Sequence, residues 1–143
     1  MENIKKQQET KRKLADAFME LYAKNDISHI TIKSITDRAG LNRATFYIYY
    51  NDVYDLRDHI ETSFLERISE IFTRLNLMDI DSLFLYILSL YKETGQYLPV
   101  LLGKEGSPFP GRVKAAMRRR IREDNPEITF SKRLEYTMEY HAA

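Results

Sequence analysis

The sequence predicts an all-α fold, and three observations predict it. Breakers are few: five Gly and four Pro occur in 143 residues, and three of the Pro lie between Pro99 and Pro110, so long stretches are free to run as helix. Apolar residues recur three or four positions apart along most of the chain, which is the spacing of one helical face. Strand-like alternation is scarce. The length suits one domain, or a small domain with an adjoining bundle, and excludes a large multidomain enzyme. With 22 Lys and Arg against 21 Asp and Glu, bulk charge points to no partner, so any nucleic-acid signal must be local. The absence of Cys removes disulfides, thiol nucleophiles and Cys-type zinc sites, and fits a reducing compartment. Met1 to Lys13 is polar and charged, unlike a signal peptide. The longest apolar stretch, Leu83 to Leu88, falls far short of the roughly 20 residues of a membrane span. A soluble, cytoplasmic protein with no membrane partner is expected.

The first helix is expected from about Thr10 to Lys24, where Leu14, Phe18, Leu21 and Tyr22 form one apolar stripe on a charged rod. Asn25 to His29 interrupts the pattern. Thr31 then offers a side-chain oxygen to the free N–H groups of a short helix from Ile32 to Ala39, with Ile32, Ile35 and Ala39 as its buried face. Gly40 can take the left-handed conformation that ends a helix, Leu41 plugs the turn, and Asn42 caps a second short helix from Arg43 to Tyr49. Asn51-Asp52 is a further capping pair, ahead of a long helix carrying Leu56, Ile60, Phe64, Ile68, Ile71 and Leu75. Past Asp79, with Asp81 or Ser82 as cap, Leu83, Ile87, Leu90 and Tyr91 mark a helix to about Glu93. A short helix from Gln96 to Leu102 must hold Pro99 in its first turn. Ser107-Pro108 opens a helix ending near Asp124, and Thr129 or Ser131 starts a last one through Leu134, Tyr136 and Met138.

Two short helices joined by a tight Gly-containing turn, the second capped by a polar residue, make a helix-turn-helix. The second helix of such a pair is built to enter the major groove of double-stranded DNA. Ala39-Gly40 supplies the small residue and the glycine of the turn, and Ile35 and Leu41 supply the packing. The exposed start of the second helix presents Asn42, Arg43 and Thr45 as hydrogen-bonding groups for base edges. An Arg at that solvent-facing start has little structural purpose. Phe46 reads as core, and one of Tyr47, Tyr49 and Tyr50 as a cover for it.

From Lys11 to Leu56 the chain resembles the TetR family of bacterial transcriptional regulators. The likeness lies in Ala17-Phe18-Met19-Glu20-Leu21, Ile30-Thr31-Ile32-Lys33-Ser34-Ile35, Ala39-Gly40-Leu41-Asn42-Arg43-Ala44-Thr45-Phe46-Tyr47 and Tyr49-Tyr50. Leu101-Leu102-Gly103 through Ser107-Pro108-Phe109 is similar to the regulatory part of Firmicute-type members that resemble dihydroxyacetone-kinase operon regulators. The resemblance implies a three-helix DNA-binding domain over 1–54 and a helical regulatory and dimerisation domain over 55–143. It assigns Arg43, Ala44 and Thr45 to the base-facing end of the recognition helix, and Lys33 to bases or phosphates. Tyr47 and Tyr49 fall where phosphate-contacting hydroxyls lie, and Thr31 where a helix N-terminus meets a phosphate. Asn51 and Val53 stand where Lys is usual, a loss of anchoring charge that a flexible arm bearing Lys5, Lys6, Lys11, Arg12 and Lys13 would partly offset. Family members end in two long helices that pair with a twin; here the first stops at Ala143 and the second is missing, so the regulatory domain reads as truncated.

The remaining features read more plainly. Arg118-Arg119-Arg120 with Arg122 is a dense cationic run, read as a solvated helix end with charge suited to the helix dipole. His29, His59 and His141 lack companions at metal-ligand spacing, so no metal site and no cofactor are expected. Phe84, Tyr86, Tyr91, Tyr97 and Phe109 read first as core; second, Phe84, Tyr86, Tyr91 and Tyr97 line a cavity for an unidentified small-molecule effector. The function these features imply is a DNA-binding transcriptional regulator, a repressor acting as a homodimer on operator DNA. The alternative is a truncated interaction module that pairs with a full-length regulator. No nucleophile, acid–base pair or phosphate loop stands at usable spacing, so an enzyme is not expected.

Overall fold

A computed structural model describes residues 1–75, 80–95 and 97–124. Within them seven α-helices follow one another and no strand occurs, as the spacing predicts. They are α1 (Glu2–Tyr22), α2 (Ile32–Ala39), α3 (Arg43–Tyr49), α4 (Val53–Leu75), α5 (Ile80–Thr94), α6 (Leu98–Gly103) and α7 (Phe109–Asp124). The helix expected past Thr129 lies outside the described residues. The chain divides into two compact units, Met1–Ser63 and Phe64–Ala143, with the division falling inside α4. No helix among the described residues is long and apolar enough to cross a membrane.

In the first unit α1 begins eight residues earlier than the apolar stripe suggests and stops two residues sooner, so the segment expected as a flexible arm is helix. Periodicity marks only the part of a helix that is buried, and Glu2 to Glu9 buries nothing. That stretch holds good helix formers without a breaker, an acidic residue in the first turn, and a Glu9–Lys13 pair at 3.0 Å one turn apart. The same Lys13 holds the Glu9 carboxyl below its ordinary range. Past Tyr22 the interruption takes the form of a 3₁₀ turn, Ile27–His29, which Asp26 caps by accepting from the Ser28 N–H at 2.9 Å.

Leu14, Ala17, Phe18 and Tyr22 are buried on one side of α1, where the rings of Phe18 and Tyr22 stack at 5.1 Å. α2 packs on α1 through fully buried Ile35, while Arg38 reaches Glu20 at 3.1 Å. Ile32 and Ala39, expected as core, are only half-buried, and Thr36 takes the interior place instead. Its hydroxyl is satisfied by the Ile32 and Lys33 carbonyls at 2.9 and 3.2 Å, which is how a threonine lies inside without stranding a polar group.

The turn between α2 and α3 follows the expected chemistry closely. Gly40 sits at φ 66 and ψ 35, the left-handed region. Its N–H donates to the Asp37 carbonyl at 3.3 Å, and the Leu41 N–H donates back to Thr36 at 2.9 Å, so two orphan carbonyls of α2 are closed off. At the other end of α2, Thr31 accepts from the Ser34 N–H and Ser34 accepts from the Thr31 N–H, both at 3.0 Å, a reciprocal box.

The second unit is built on Phe64 of α4, Leu101 of α6 and Phe109 of α7, all buried, with the two phenylalanine rings meeting edge-on at 6.4 Å. α5 begins at Ile80, so Asp81 and Ser82 lie in its first turn and do not cap it. α6 begins two residues later than expected and carries Pro99 in its first turn, where a missing N–H costs nothing. The Ser107 hydroxyl accepts from the Phe109 N–H at 3.2 Å at the head of α7.

An added Cβ at Gly40 meets nothing within 4 Å, so Gly40→Ala tests backbone conformation alone. It is expected to lower stability by about 1–2 kcal/mol in a urea titration, with Gly40→Asn costing less because Asn tolerates left-handed backbone.

Candidate nucleic-acid interface

α3 has one side fixed and one side free. Phe46 is fully buried and the chain leaves the helix at Tyr50, also buried, their rings 5.7 Å apart. Tyr50 is therefore the tyrosine that covers the core, and burial, with Asp55 nearby, pushes its phenol above the usual value. Arg43, Ala44, Tyr47 and Ile48 are exposed on the other side. Arg43 forms no ion pair among the described residues. Tyr47 keeps about half its surface, 54%, while leaning edge-on against Phe46 at 5.9 Å. Seven residues at 1.5 Å each make a rod about 10 Å long, which suits a groove about 12 Å wide.

The polar groups at the head of α3 are already engaged. Asn42 Oδ1 accepts from the Thr45 N–H at 2.8 Å and from the Thr45 hydroxyl at 2.9 Å. Asn42 and Thr45 thus hold the helix start as well as face solvent, leaving the Asn42 amide N–H groups and a Thr45 lone pair for a ligand. Thr31 is similarly committed to its box with Ser34. Lys33 is exposed and bonded to Asp37, one turn along α2, a pair open enough to water that separating it is cheap.

Tyr49 is half-buried, and the ammonium of Lys11 on α1 lies over its ring at 5.4 Å. The resemblance grouped Lys11 with a mobile arm; its place on α1 instead sets one cation beside the end of α3. Asn51 and Val53, where Lys is absent, have local tasks. Val53 is buried, and the Asn51 N–H and side-chain amide donate to Asp55 at 2.8 and 2.9 Å. Asp52 accepts from the Asp55 N–H at 2.8 Å, completing the cap of α4. Ile48 is apolar by type and yet exposed. Its phase, two residues past buried Phe46, turns it away from the core.

The aromatic residues of the second unit differ in burial. Phe84 and Tyr91, expected as core and secondarily as cavity lining, are 64% and 66% exposed on α5. Tyr86 and Tyr97 are half-buried, and the Tyr86 hydroxyl donates to Glu70 at 3.1 Å. Phe109 is core. Arg118, Arg119 and Arg122 share a face of α7, lining an open groove of about 460 Å³ with Ala115 and Glu123. His29 is exposed, His59 is exposed and joined to Asp55 at 3.1 Å, and His141 lies outside the described residues.

No protein-family model and no curated protein matches the chain. Among solved structures, the fold is similar to that of a TetR transcriptional regulator from Streptococcus agalactiae 2603V. The TM-score is 0.67, with 20% sequence identity over 99% of this chain and 83% of that one. The similarity establishes a TetR-like all-α fold.

The cap of α4 carries a pH dependence. The hydrogen bond from the Asn51 N–H, outweighing partial desolvation and assisted by His59, holds the Asp55 carboxyl below its ordinary value of 3.8. A carboxyl with a lowered folded value contributes stability that is complete above its unfolded value and lost as the pH falls through the folded one. Asp55→Asn is expected to be less stable than the parent near pH 7, with the difference closing as the pH drops below 3.8. Urea midpoints at stepped pH read this directly; a gap that stays constant would deny the carboxylate this role.

Proposed function

We propose that this chain is a DNA-binding transcriptional regulator, a repressor that reads operator DNA through α3. The observation that carries the reading is the free side of α3, where Arg43, Ala44 and Tyr47 stand clear of the core on a short helix fixed by a left-handed turn and an Asn cap. Residues 1–54 supply the reading head, and residues 55–143 a regulatory and dimerising part of the kind similar to Firmicute dihydroxyacetone-kinase operon regulators. Arg43 donates in bidentate fashion to a guanine edge, Ala44 and Thr45 approach neighbouring bases, and Asn42 supports them with its free amide hydrogens. Thr31, Lys33, Tyr47 and Tyr49 hold phosphates, fixing register without reading sequence.

A single head covers one half-site. Two copies with heads about 34 Å apart would occupy successive major-groove faces, so the proposal includes a homodimer on a palindromic operator in the cytoplasm. An effector held in the second unit, touching Tyr86 and Tyr97 with Phe84 and Tyr91, would shift the balance between bound and free states. No catalysis and no cofactor enter this reading.

Selection from a random duplex pool, then titration with labelled DNA and sedimentation of the complex, tests the proposal. Selective binding of one duplex by two copies supports it, and equal affinity for all sequences overturns it. Arg43→Ala is expected to cost about 1–3 kcal/mol on the selected duplex and far less on random DNA. Equal losses on both would make Arg43 a phosphate contact. Affinity is also expected to fall with salt, by about 0.9 in log affinity per neutralised phosphate for each decade of concentration.

A further inference from the structure

Ile48 is 72% exposed on a helix that Phe46 anchors with a fully buried ring, and nothing in the proposed set of DNA contacts uses it. Its direction follows from helical geometry. At about 100° per residue, the positions two before and two after Phe46 both lie about 200° around the helix from it. These positions are Ala44 and Ile48. They are one turn apart, so the ridge of α3 pointing most directly away from the core is apolar, with Arg43 and Tyr47 along one side of it.

A ridge in that orientation meets the floor of the groove before its walls. The walls are phosphate and sugar, which offer an isoleucine nothing and lose hydration against it. Donors and acceptors dominate the floor as well, with one exception among the four bases: thymine carries a 5-methyl group in the major groove. We infer that Ile48 is a specificity-determining residue that packs against a thymine 5-methyl group, with Ala44 beside it giving the close approach. The inference rests on α3 being the recognition helix, and it adds a part of the sequence code that hydrogen-bonding residues do not supply. Arg43 selects by polar geometry, whereas Ile48 selects by whether a methyl group is there to be covered.

Deoxyuridine differs from thymidine only in lacking that methyl, with every hydrogen-bonding edge retained, so it isolates the contact. The full chain is first used to select a duplex, and each thymine is then replaced in turn by deoxyuridine. One thymine per half-site is expected to be sensitive, with affinity falling about three- to fivefold, the worth of burying one methyl group. Ile48→Ala should abolish the sensitivity at that position and leave other positions unchanged, while Ile48→Val should retain most of it. Because the side chain is exposed, neither variant should alter the thermal melting of the helices, and circular dichroism verifies this. Binding that is indifferent to sequence overturns the recognition-helix reading and this inference together. Selective binding with no methyl-sensitive thymine, or sensitivity that survives Ile48→Ala, overturns the inference alone and leaves the recognition-helix reading standing.

Discussion

The reversal at Gly40 is the constraint on which the exposed face of α3 depends. A backbone angle of φ 66 sends the chain away from α2 while the Leu41 N–H is still tied to the Thr36 carbonyl. Only two residues, Leu41 and Asn42, then separate the turn from the first residue of α3. With so short a link, the direction of α3 follows from the turn, and the buried Phe46 sets its rotation about its own axis. Arg43, Ala44, Tyr47 and Ile48 are presented together because the turn and one phenylalanine leave the helix no other orientation.

Around this turn, side chains that face solvent also hold the backbone. Asn42 and Thr45 close the head of α3, Thr31 and Ser34 the head of α2, and Asp52 with Asp55 the head of α4. Each bond satisfies an N–H that would otherwise hang free at a helix start, and those at α2 and α3 also fix Thr31, Asn42 and Thr45, which the proposed reading sets against DNA. Rigidity of the contact groups is therefore a by-product of capping. A ligand meeting them has little rotamer freedom left to remove.

Much of the first unit was legible in the sequence because its signals are local and stereochemical. A glycine between two short periodic runs, followed by Asn, permits few conformations, and both α2 and α3 fall within the bounds read from it. The start of α1 was not legible from periodicity, since a helix segment that buries nothing has no stripe to see. Residue type does not announce Thr36 as interior: its hydroxyl finds carbonyls within its own helix and so behaves as an interior group. Ile48 and Phe84 are the opposite case. They are apolar by type and exposed by phase, and only the angle from a known core residue distinguishes the two cases. In the second unit Phe84 and Tyr91 share α5 with residues read as core, and the sequence alone does not say which side of α5 is covered.

The early start of α1 changes what its cations cost to use. A disordered arm gains contacts only by surrendering chain entropy, roughly 1–2 kcal/mol for each residue it orders, which offsets much of the attraction. Lys5, Lys6, Lys11 and Arg12 ride instead on a rod that is already formed. Their attraction to a polyanion is then opposed by desolvation and by the loss of side-chain motion, with no refolding of the backbone. Such a rod also offers its charges at fixed spacing, 1.5 Å of rise per residue, so it matches a backbone at one angle and mismatches it at others. On the proposed reading, encounter with DNA is therefore orientation-selective from the start, where a flexible arm would capture DNA first and align it afterwards.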